Sequence, residues 1–230
     1  MTAVGMIFAR GGSKGIPDKN LVEVAGIPLI TRAVDTAKAV RGLDRIIVST
    51  DSEQIADLAR AAGAEVPFTR PAALARDEAP EWLAWRHALE YLRDEGGGLP
   101  DVMVSVPTTA PLRLPSDVEA VITEFESGDW DAVITATPAR RSPYFNMIGI
   151  DPSGAASLAL IPAEGFARRQ DTPVLYDVCT VAYAVLPRHV LDNAYLFDGR
   201  VGTVLIPVER SLDIDTPFDL HLAELILSRS

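Results

Sequence analysis

Short apolar segments alternate with longer amphipathic segments along most of this chain, and this alternation limits the folds open to it more than any other feature. The predicted strands are residues 4–8, 45–49, 66–69, 102–106, 132–137, 178–186 and 201–207. The predicted helices are residues 28–40, 52–62, 80–95, 116–126 and 216–227. Continuous apolar strands separated by helices predict βαβ units, in which a mainly parallel sheet is covered by helices on both faces.

The alternation stops at residues 138–176, which contain the turn sequence Asp151-Pro152-Ser153-Gly154 and little helical periodicity. We interpret this stretch as an inserted excursion rich in hairpins. Apolar residues such as Tyr144 and Met147 lie within it and need a surface to pack against. A second copy of the chain can provide that surface, so the sequence predicts a homodimer formed through the excursion.

Composition limits the class of protein. With 230 residues, 48% of them hydrophobic, the chain can build one sizeable core, and we expect residues 1–230 to form a single domain. One cysteine, Cys179, and three histidines make an intrachain disulfide or a Cys/His zinc cluster improbable. The absence of a signal peptide and of an apolar membrane-spanning run favours a cytoplasmic protein without a membrane partner. A net charge of −11 argues against a nucleic-acid partner.

A glycine-rich loop follows the first predicted strand. It reads Arg10-Gly11-Gly12-Ser13-Lys14-Gly15 and continues to Lys19 and Asn20. Glycines allow the backbone to approach a phosphate closely, Ser13 can donate a hydrogen bond, and Lys14 supplies positive charge. The spacing fits neither the P-loop nor the dinucleotide fingerprint. The loop predicts a polyphosphate site, and an ordinary strand-to-helix turn with solvated lysines is the alternative.

Two carboxylates, Asp213 and Asp215, precede the last predicted helix. In an extended segment they share a face, where two hard oxygen ligands can hold one Mg²⁺ together with substrate phosphates. Helix capping is the alternative role for Asp215. Thr216 is the better N-cap, however, because Pro217 and Asp219 follow at the first and third helical positions. The pair is therefore a candidate magnesium site.

Other polar and aromatic residues are assigned structural roles. Asp51 ends a strand and can reach a ligand, but capping of the helix at 52–62 is the preferred interpretation. Trp82 and Trp85 are spaced for helical packing rather than for stacking on a nucleotide. The three histidines have no serine or aspartate partner at a spacing typical of a nucleophilic triad.

Several segments together resemble the acylneuraminate cytidylyltransferases, the CMP-N-acetylneuraminic acid synthetase family. The matching segments are Ala9-Arg10-x-x-Ser13-Lys14-Gly15-x-x-x-Lys19-Asn20, Ile47-Val48-Ser49-Thr50-Asp51, Arg70-Pro71-x-x-Leu74-Ala75-x-Asp77, Pro107-Thr108 with Pro111-Leu112-Arg113, Arg169-Gln170, and Asp213-Ile214-Asp215-Thr216. The resemblance implies a three-layer α/β/α nucleotidyltransferase, Rossmann-like and similar to the glycosyltransferase-A fold. It also implies CTP and Mg²⁺, with attack of a sugar acid's anomeric hydroxyl on the α-phosphate and loss of pyrophosphate.

The resemblance also implies roles for individual residues. The nucleotide-binding residues it implies are Arg10, Gly12, Ser13, Lys14, Lys19, Asn20 and Arg70. The catalytic residues it implies are Arg10, Lys14, Asp213 and Asp215, of which the two aspartates also bind the metal. The acceptor-binding residues it implies are Thr108, Arg169 and Gln170. Arg140, Arg141 and Arg168 lie in the excursion, where an arginine can pair with an acid group or remain a solvated surface residue.

The chain departs from the family pattern on the acceptor side. A glutamine expected before Pro107 is absent, Asp177 stands where the family has an arginine, and a nucleotide-associated serine is replaced near residues 80–81. These departures favour a nonulosonic acid other than common sialic acid as acceptor. The alternatives are another nucleotide, an octulosonic acid acceptor, and a nucleotide-binding regulatory protein without catalysis.

Overall fold

Ten strands and six α-helices are defined in the computed structural model, which describes residues 1–161, 165–166 and 168–229. The strands are β1 Ala3–Phe8, β2 Glu23–Val24, β3 Ile27–Pro28, β4 Arg45–Ser49, β5 Val102–Ser105, β6 Ala132–Pro138, β7 Ile148–Ile150, β8 Ala156–Leu158, β9 Tyr176–Val185 and β10 Val201–Leu205. The helices are α1 Leu29–Ala39, α2 Glu53–Ala61, α3 Glu81–Asp94, α4 Pro115–Ser127, α5 Pro187–Asp192 and α6 Pro217–Leu227. Within the described ranges, no helix is long and apolar enough to cross a bilayer.

Six strands form the central sheet in the order β10-β6-β9-β5-β1-β4. Five of them run parallel, and β9 is antiparallel to both of its neighbours, β5 and β6. The prediction of a mainly parallel sheet is confirmed. Because the parallel strands end at one edge, the loops that follow β1, β4 and β5 lie together there, where α/β sheets bind their ligands.

Helices cover both faces of the sheet. Helix α1 buries Ile30, Ala33, Val34 and Ala37, which recur at helical spacing and pack with α2 and α4 against one face. Helices α3 and α5 pack on the other face, where Leu89 is fully buried. The three-layer α/β/α arrangement predicted from the alternating pattern is confirmed.

A bulge in β9 shapes the ligand-binding edge of the sheet. Ile134 of β6 pairs with Tyr183, but its neighbour Thr135 pairs with Cys179, so residues 180–182 have no partners on β6. The Thr135 hydroxyl lies 2.7 Å from the Cys179 carbonyl oxygen and accepts a hydrogen bond from the Ala182 N–H at 3.3 Å. This bonding fixes the extra residues of the bulge in place.

One predicted strand is wrong and one helix is not predicted. Beside β4 the segment makes only isolated bridges, Ile47 with Glu65 just before the predicted strand at residues 66–69 and Thr50 with Thr69 at its end, because Pro67 has no N–H to continue a ladder. The sequence pattern does not reveal α5, which is only six residues long. The other predicted elements begin and end within two residues of the observed bounds.

The excursion contains the predicted hairpin, formed by β7 and β8. Its turn is organised by Asp151, whose carboxylate accepts hydrogen bonds from the Ser153 N–H at 2.8 Å and the Ala155 N–H at 3.0 Å. Large apolar side chains on the hairpin face solvent, with Ile148 58% and Ile150 70% exposed. Such a surface suits a protein partner.

Candidate active site

A cleft of about 580 Å³ opens at the carboxyl edge of the sheet. It is lined by the loop after β1, the start of α3, the loop after β5 and the bulge of β9. The predicted site residues that line it are Arg10, Ser13, Lys14, Lys19, Asn20, Arg70, Thr108 and Asp215. Gly12 lies on an adjoining surface depression between the same loop and residues 75–78, in a left-handed conformation with φ of 70°.

Two hydrogen bonds hold the backbone of the glycine-rich loop, and a third fixes one of their partners. Asp51 accepts one from the Gly11 N–H at 2.8 Å. The Asn20 amide donates to the Arg10 carbonyl oxygen at 2.9 Å, and its own oxygen accepts from the Thr108 hydroxyl at 2.5 Å. Asn20 and Thr108 are both buried, so this network fixes the backbone from which Arg10 projects.

The prediction that Asp51 caps the following helix is wrong. Helix α2 begins at Glu53 with Ser52 as its N-cap, and Ser52 makes no side-chain capping bond. The Asp51 carboxylate instead accepts a hydrogen bond from Gly11 of the glycine-rich loop, 40 residues earlier in the chain. The carboxyl ends of β1 and β4, neighbouring parallel strands, bring the two segments together.

The cations of the loop converge on one carboxylate. Arg10 makes a short ion pair with Asp77, and the Lys14 ammonium lies 3.2 Å from the other oxygen of the same side chain. Lys14 also lies 3.7 Å from Glu78. The hydrogen bond from Arg10, followed by that from Lys14, holds the pKa of Asp77 below its usual range. Two cations aimed at one anionic group can equally hold a phosphate.

Lys19 joins the glycine-rich loop to the segment that carries the two aspartates. Its ammonium donates to the Ile214 carbonyl oxygen at 2.6 Å and lies 3.1 Å from an Asp215 carboxylate oxygen. The side chain is only 16% exposed. Lys19 therefore holds Asp215 at the edge of the cleft.

Asp213 and Asp215 are placed differently. The Asp215 side chain is 70% exposed and lines the main cleft, whereas Asp213 lines a neighbouring one beside Asp177 and Arg140. Asp213 Oδ1 is buried and has no hydrogen-bond partner within the described residues. Burial raises the pKa of Asp213, and the Thr109 hydroxyl partly counters this effect. A buried carboxylate oxygen without a donor suits a cation.

The structure also bears on the alternative role of Asp215 in helix capping. Thr216 is the N-cap of α6, and it exchanges bonds with Asp219 in a capping box. The Thr216 N–H donates to the Asp219 carboxylate at 2.8 Å. Asp215 thus lies outside the helix. Across the described residues, no group of three or more Asp, Glu, His or Cys side chains is placed to hold a metal, so an ion here needs phosphate or water oxygens as well.

Gly15 allows the loop to approach the aspartate segment closely. A Cβ added at this glycine would lie 2.5 Å from the Asp215 carbonyl oxygen, a backbone atom that has little freedom to move. We expect Gly15→Ala to displace Asp215 and to lower kcat by about 100-fold, the loss typical of an ångström-scale misplacement of a catalytic group. Steady-state kinetics on the variant measure the effect.

The matched control for this substitution is Gly97→Ala. The added methyl group at Gly97 meets nothing within 4 Å, in a loop at the other end of the sheet. The control variant should keep wild-type kcat. If Gly15→Ala also kept it, the contact between the loop and Asp215 would have no part in activity.

Two predicted acceptor residues lie away from the main cleft. Arg169 and Gln170 line a separate pocket against residues 138–142 of the excursion. The Arg169 guanidinium donates to the carbonyl oxygens of Ala139, at 3.4 Å, and Arg140. Of the acceptor-binding residues implied by the resemblance, only Thr108 lines the cleft of its own chain.

Some residues of the site could not be assigned from the sequence. Arg113 is buried and donates to the carbonyl oxygens of Val181, at 2.9 Å, and Pro107, so it ties the loop after β5 to the bulge. Burial lowers its pKa to about 9, against the nearby charge of Asp117. Glu81 and Tyr183 line the cleft. Arg113 and Tyr183 belong to segments compared with the family, but only the fold shows what they contact.

A doubly covered, mainly parallel sheet, with a cationic glycine-rich loop and acidic side chains at its carboxyl edge, defines a nucleotidyltransferase. A sequence model of the cytidylyltransferase family matches residues 4–140. The chain belongs to this family, and it is a CTP-dependent enzyme. The resemblance to acylneuraminate cytidylyltransferases is thereby confirmed.

Similar proteins extend the match over nearly the whole chain. The Campylobacter coli post-translational flagellin modification protein B is 32% identical over 225 residues, which cover 96% of this chain and 93% of the relative. The Campylobacter jejuni CMP-N,N'-diacetyllegionaminic acid synthase is 32% identical over 223 residues, with the same coverage. A solved CMP:2-keto-3-deoxy-manno-octonic acid synthetase complexed with CTP covers 100% of this chain and 99% of its own, with a TM-score of 0.71 and 17% identity. That similarity supports the fold.

Proposed function

We propose that this protein transfers CMP from CTP to the anomeric hydroxyl of an acidic sugar of the nonulosonic acid class and releases pyrophosphate. The observation that carries the proposal is the meeting of the loop cations Arg10 and Lys14 with Lys19 and Asp215 in one cleft at the carboxyl edge of the sheet. Family membership supplies the nucleotide, and similarity to a legionaminic acid enzyme supports the acceptor class.

The chain's own residues account for the electrostatic part of the reaction. The acceptor oxygen forms a bond to the α-phosphorus as the bond to the pyrophosphate oxygen breaks, and the hydroxyl proton passes to solvent water. Negative charge grows on the pyrophosphate, and Arg10 and Lys14 would stabilise it. Ser13 and the backbone of Gly12 would add neutral donors to the triphosphate. Asn20 would stabilise the loop at this site through its hydrogen bond to the Arg10 carbonyl oxygen.

Asp213 and Asp215 would hold Mg²⁺. Asp213 Oδ1, which has no hydrogen-bond partner among the described residues, and the exposed carboxylate of Asp215 are the hard oxygen donors that this ion prefers. When bound, the ion supplies charge neutralisation at the phosphates and helps to align the acceptor. Lys19 orients Asp215 for this role.

A homodimer would cover the exposed apolar surface of the excursion. Met147 is 44% exposed, and Ile150 and Ile161 are 70% and 80% exposed. Arg169 and Gln170 belong to the same excursion and lie outside the cleft of their own chain. In a dimer these two residues could serve the acceptor site of the partner subunit. We further propose that the protein acts in the cytoplasm, where CTP is available.

The proposed reaction is tested by supplying the purified protein with CTP, Mg²⁺ and a panel of acidic sugars. The panel contains sialic, legionaminic, pseudaminic and octulosonic acids, and the measurements are pyrophosphate release and formation of the CMP-sugar. We expect turnover with at least one nonulosonic acid and the highest kcat/KM for an acid other than sialic acid. Turnover with octulosonic acid alone would correct the acceptor class, and no turnover with any of the acids would contradict the proposal.

A further inference from the structure

The cleft contains a carboxylate that the proposed reaction leaves without a role. Glu81 is the first residue of α3, and its side chain faces the cleft. The indole N–H of Trp85 donates to Glu81 Oε1 at 2.8 Å and fixes the orientation of the carboxylate. Oε2 receives no hydrogen bond from the part of the chain that the structure describes. A fixed carboxylate therefore presents one free acceptor oxygen to the cleft.

Arg70 presents donors to the same part of the cleft. It is only 4% exposed, and its Nε and Nη2 donate to the hydroxyl and carbonyl oxygens of Ser49 at 3.1 and 2.5 Å. The guanidinium carbon lies 5.8 Å from the centre of the Phe8 ring. These contacts hold the guanidinium in place, and Nη1 makes no hydrogen bond to the residues that the structure describes. Burial lowers the pKa of Arg70, and the negative charge of Glu81 is the largest opposing influence.

Glu81 and Arg70 thus lie close enough to interact electrostatically, yet they form no ion pair within 4.0 Å. A donor group and an acceptor group, each held by its own hydrogen bonds, therefore line the same cleft. The adjoining side of the cleft is aromatic. The ring centroids of Phe8 and Tyr183 lie 6.0 and 5.9 Å from that of Trp85. A cleft lined by aromatic side chains and a few fixed polar groups suits a heterocyclic base.

The two pyrimidine bases differ at this kind of site. Cytosine presents acceptors at O2 and N3 and a donor at its 4-amino group, whereas uracil presents an acceptor oxygen at position 4. We propose that Glu81 accepts a hydrogen bond from the 4-amino group of cytosine, with Arg70 donating to the base's acceptors, so that Glu81 sets the preference for CTP over UTP. The inference rests on the proposed function and names a specificity residue for it.

Substitution of Glu81 by glutamine tests this role directly, because the hydrogen bond from Trp85 determines how the new amide is oriented. The indole N–H keeps the amide oxygen, so the amide NH₂ turns toward the cleft and replaces an acceptor with a donor. Two donors then face each other when CTP binds, whereas the 4-oxygen of UTP gains a partner. We expect the ratio of CTP to UTP affinity to fall by about 100-fold in Glu81→Gln, through loss for CTP and gain for UTP.

A second substitution separates loss of the acceptor from gain of a donor. Glu81→Ala removes the carboxylate and adds nothing, so CTP affinity should fall by about 10-fold while UTP affinity stays within about 3-fold of wild type. The matched control is Glu90→Gln, the same change on the same helix but outside the cleft. It should leave both affinities unchanged.

Isothermal titration calorimetry with CTP and UTP, each with Mg²⁺, measures these affinities without an acceptor. The expected result is a wild-type protein that prefers CTP and a Glu81→Gln variant that has lost most of the preference. A wild-type preference that survives in both Glu81 variants would overturn the role of Glu81 and leave the proposed function standing. Wild-type protein that binds CTP no better than UTP would contradict both.

Discussion

Asp215→Asn should reduce kcat for CMP transfer by about 1000-fold, with Asp213→Asn close behind. Each change keeps the size of the side chain and removes the negative charge that a divalent cation requires. A metal ion at transferring phosphates is worth several kcal/mol in the transition state, which sets the size of the expected loss. The Mg²⁺ concentration for half-maximal rate should rise in both variants. Pyrophosphate release, measured across a magnesium titration, gives both numbers.

The control for charge removal is Asp129→Asn. Asp129 is 95% exposed and pairs with Arg200, away from the cleft, so its replacement should leave kcat and the magnesium requirement at wild-type values. Circular dichroism should show native structure in all three variants. Full activity in Asp215→Asn at the wild-type magnesium requirement would remove this residue from the metal site.

Arg10→Ala should lower kcat/KM for CTP by about 100- to 1000-fold. This is the loss typical of other enzymes from which one preorganised, charge-stabilising hydrogen-bond donor is removed. Arg10 projects from a backbone that Asn20 and Thr108 hold rigid, so its guanidinium is positioned before the nucleotide arrives. Arg10→Lys should recover only part of the activity because a lysine offers a point charge in place of a planar fork of donors. Steady-state kinetics with CTP as the varied substrate measure both variants.

Arg60→Ala provides the comparison for Arg10. Arg60 forms ion pairs with Glu53 and Asp57 on an exposed helix surface, so its loss should change neither kcat/KM nor stability by much. The thermal midpoint of Arg10→Ala should also stay near that of wild type, since its pair with Asp77 is partly exposed. An Arg10→Ala variant as active as Arg60→Ala would show that the loop is an ordinary turn.

Much of the fold could be predicted because it depends on local pattern. Apolar runs gave the parallel strands, and Thr216 with Pro217 gave the start of α6. The wrong predictions have two causes: single residues that interrupt a pattern, and contacts between segments that are distant in sequence. Pro67 breaks the ladder of a segment that otherwise has the composition of a strand. Asp51 bonds to a loop that only the sheet brings near, and no local pattern reveals this.

The site was predictable to a similar degree. The spacing of Arg10, Ser13 and Lys14 indicated a phosphate-binding loop, and the structure places all three along the cleft. The sequence marked residues 80–81 only as the place where a nucleotide-associated serine of the family is replaced, and a glutamate at the start of a helix is otherwise ordinary. The orientation of the Glu81 carboxylate depends on Trp85, one helical turn later. Its proposed recognition of cytosine also depends on Arg70, which comes from another segment of the chain. Contacts of this kind become visible only when the chain is folded.

The proposed nucleotide and metal site is tested most directly by a crystal structure of the protein with CTP and Mn²⁺. Anomalous scattering from the manganese ion reports the position of the metal. We expect the triphosphate to lie against Arg10, Ser13 and Lys14, and an anomalous peak within coordination distance of Asp215 and Asp213. A nucleotide bound elsewhere, or a metal ion held by other residues, would contradict this expectation.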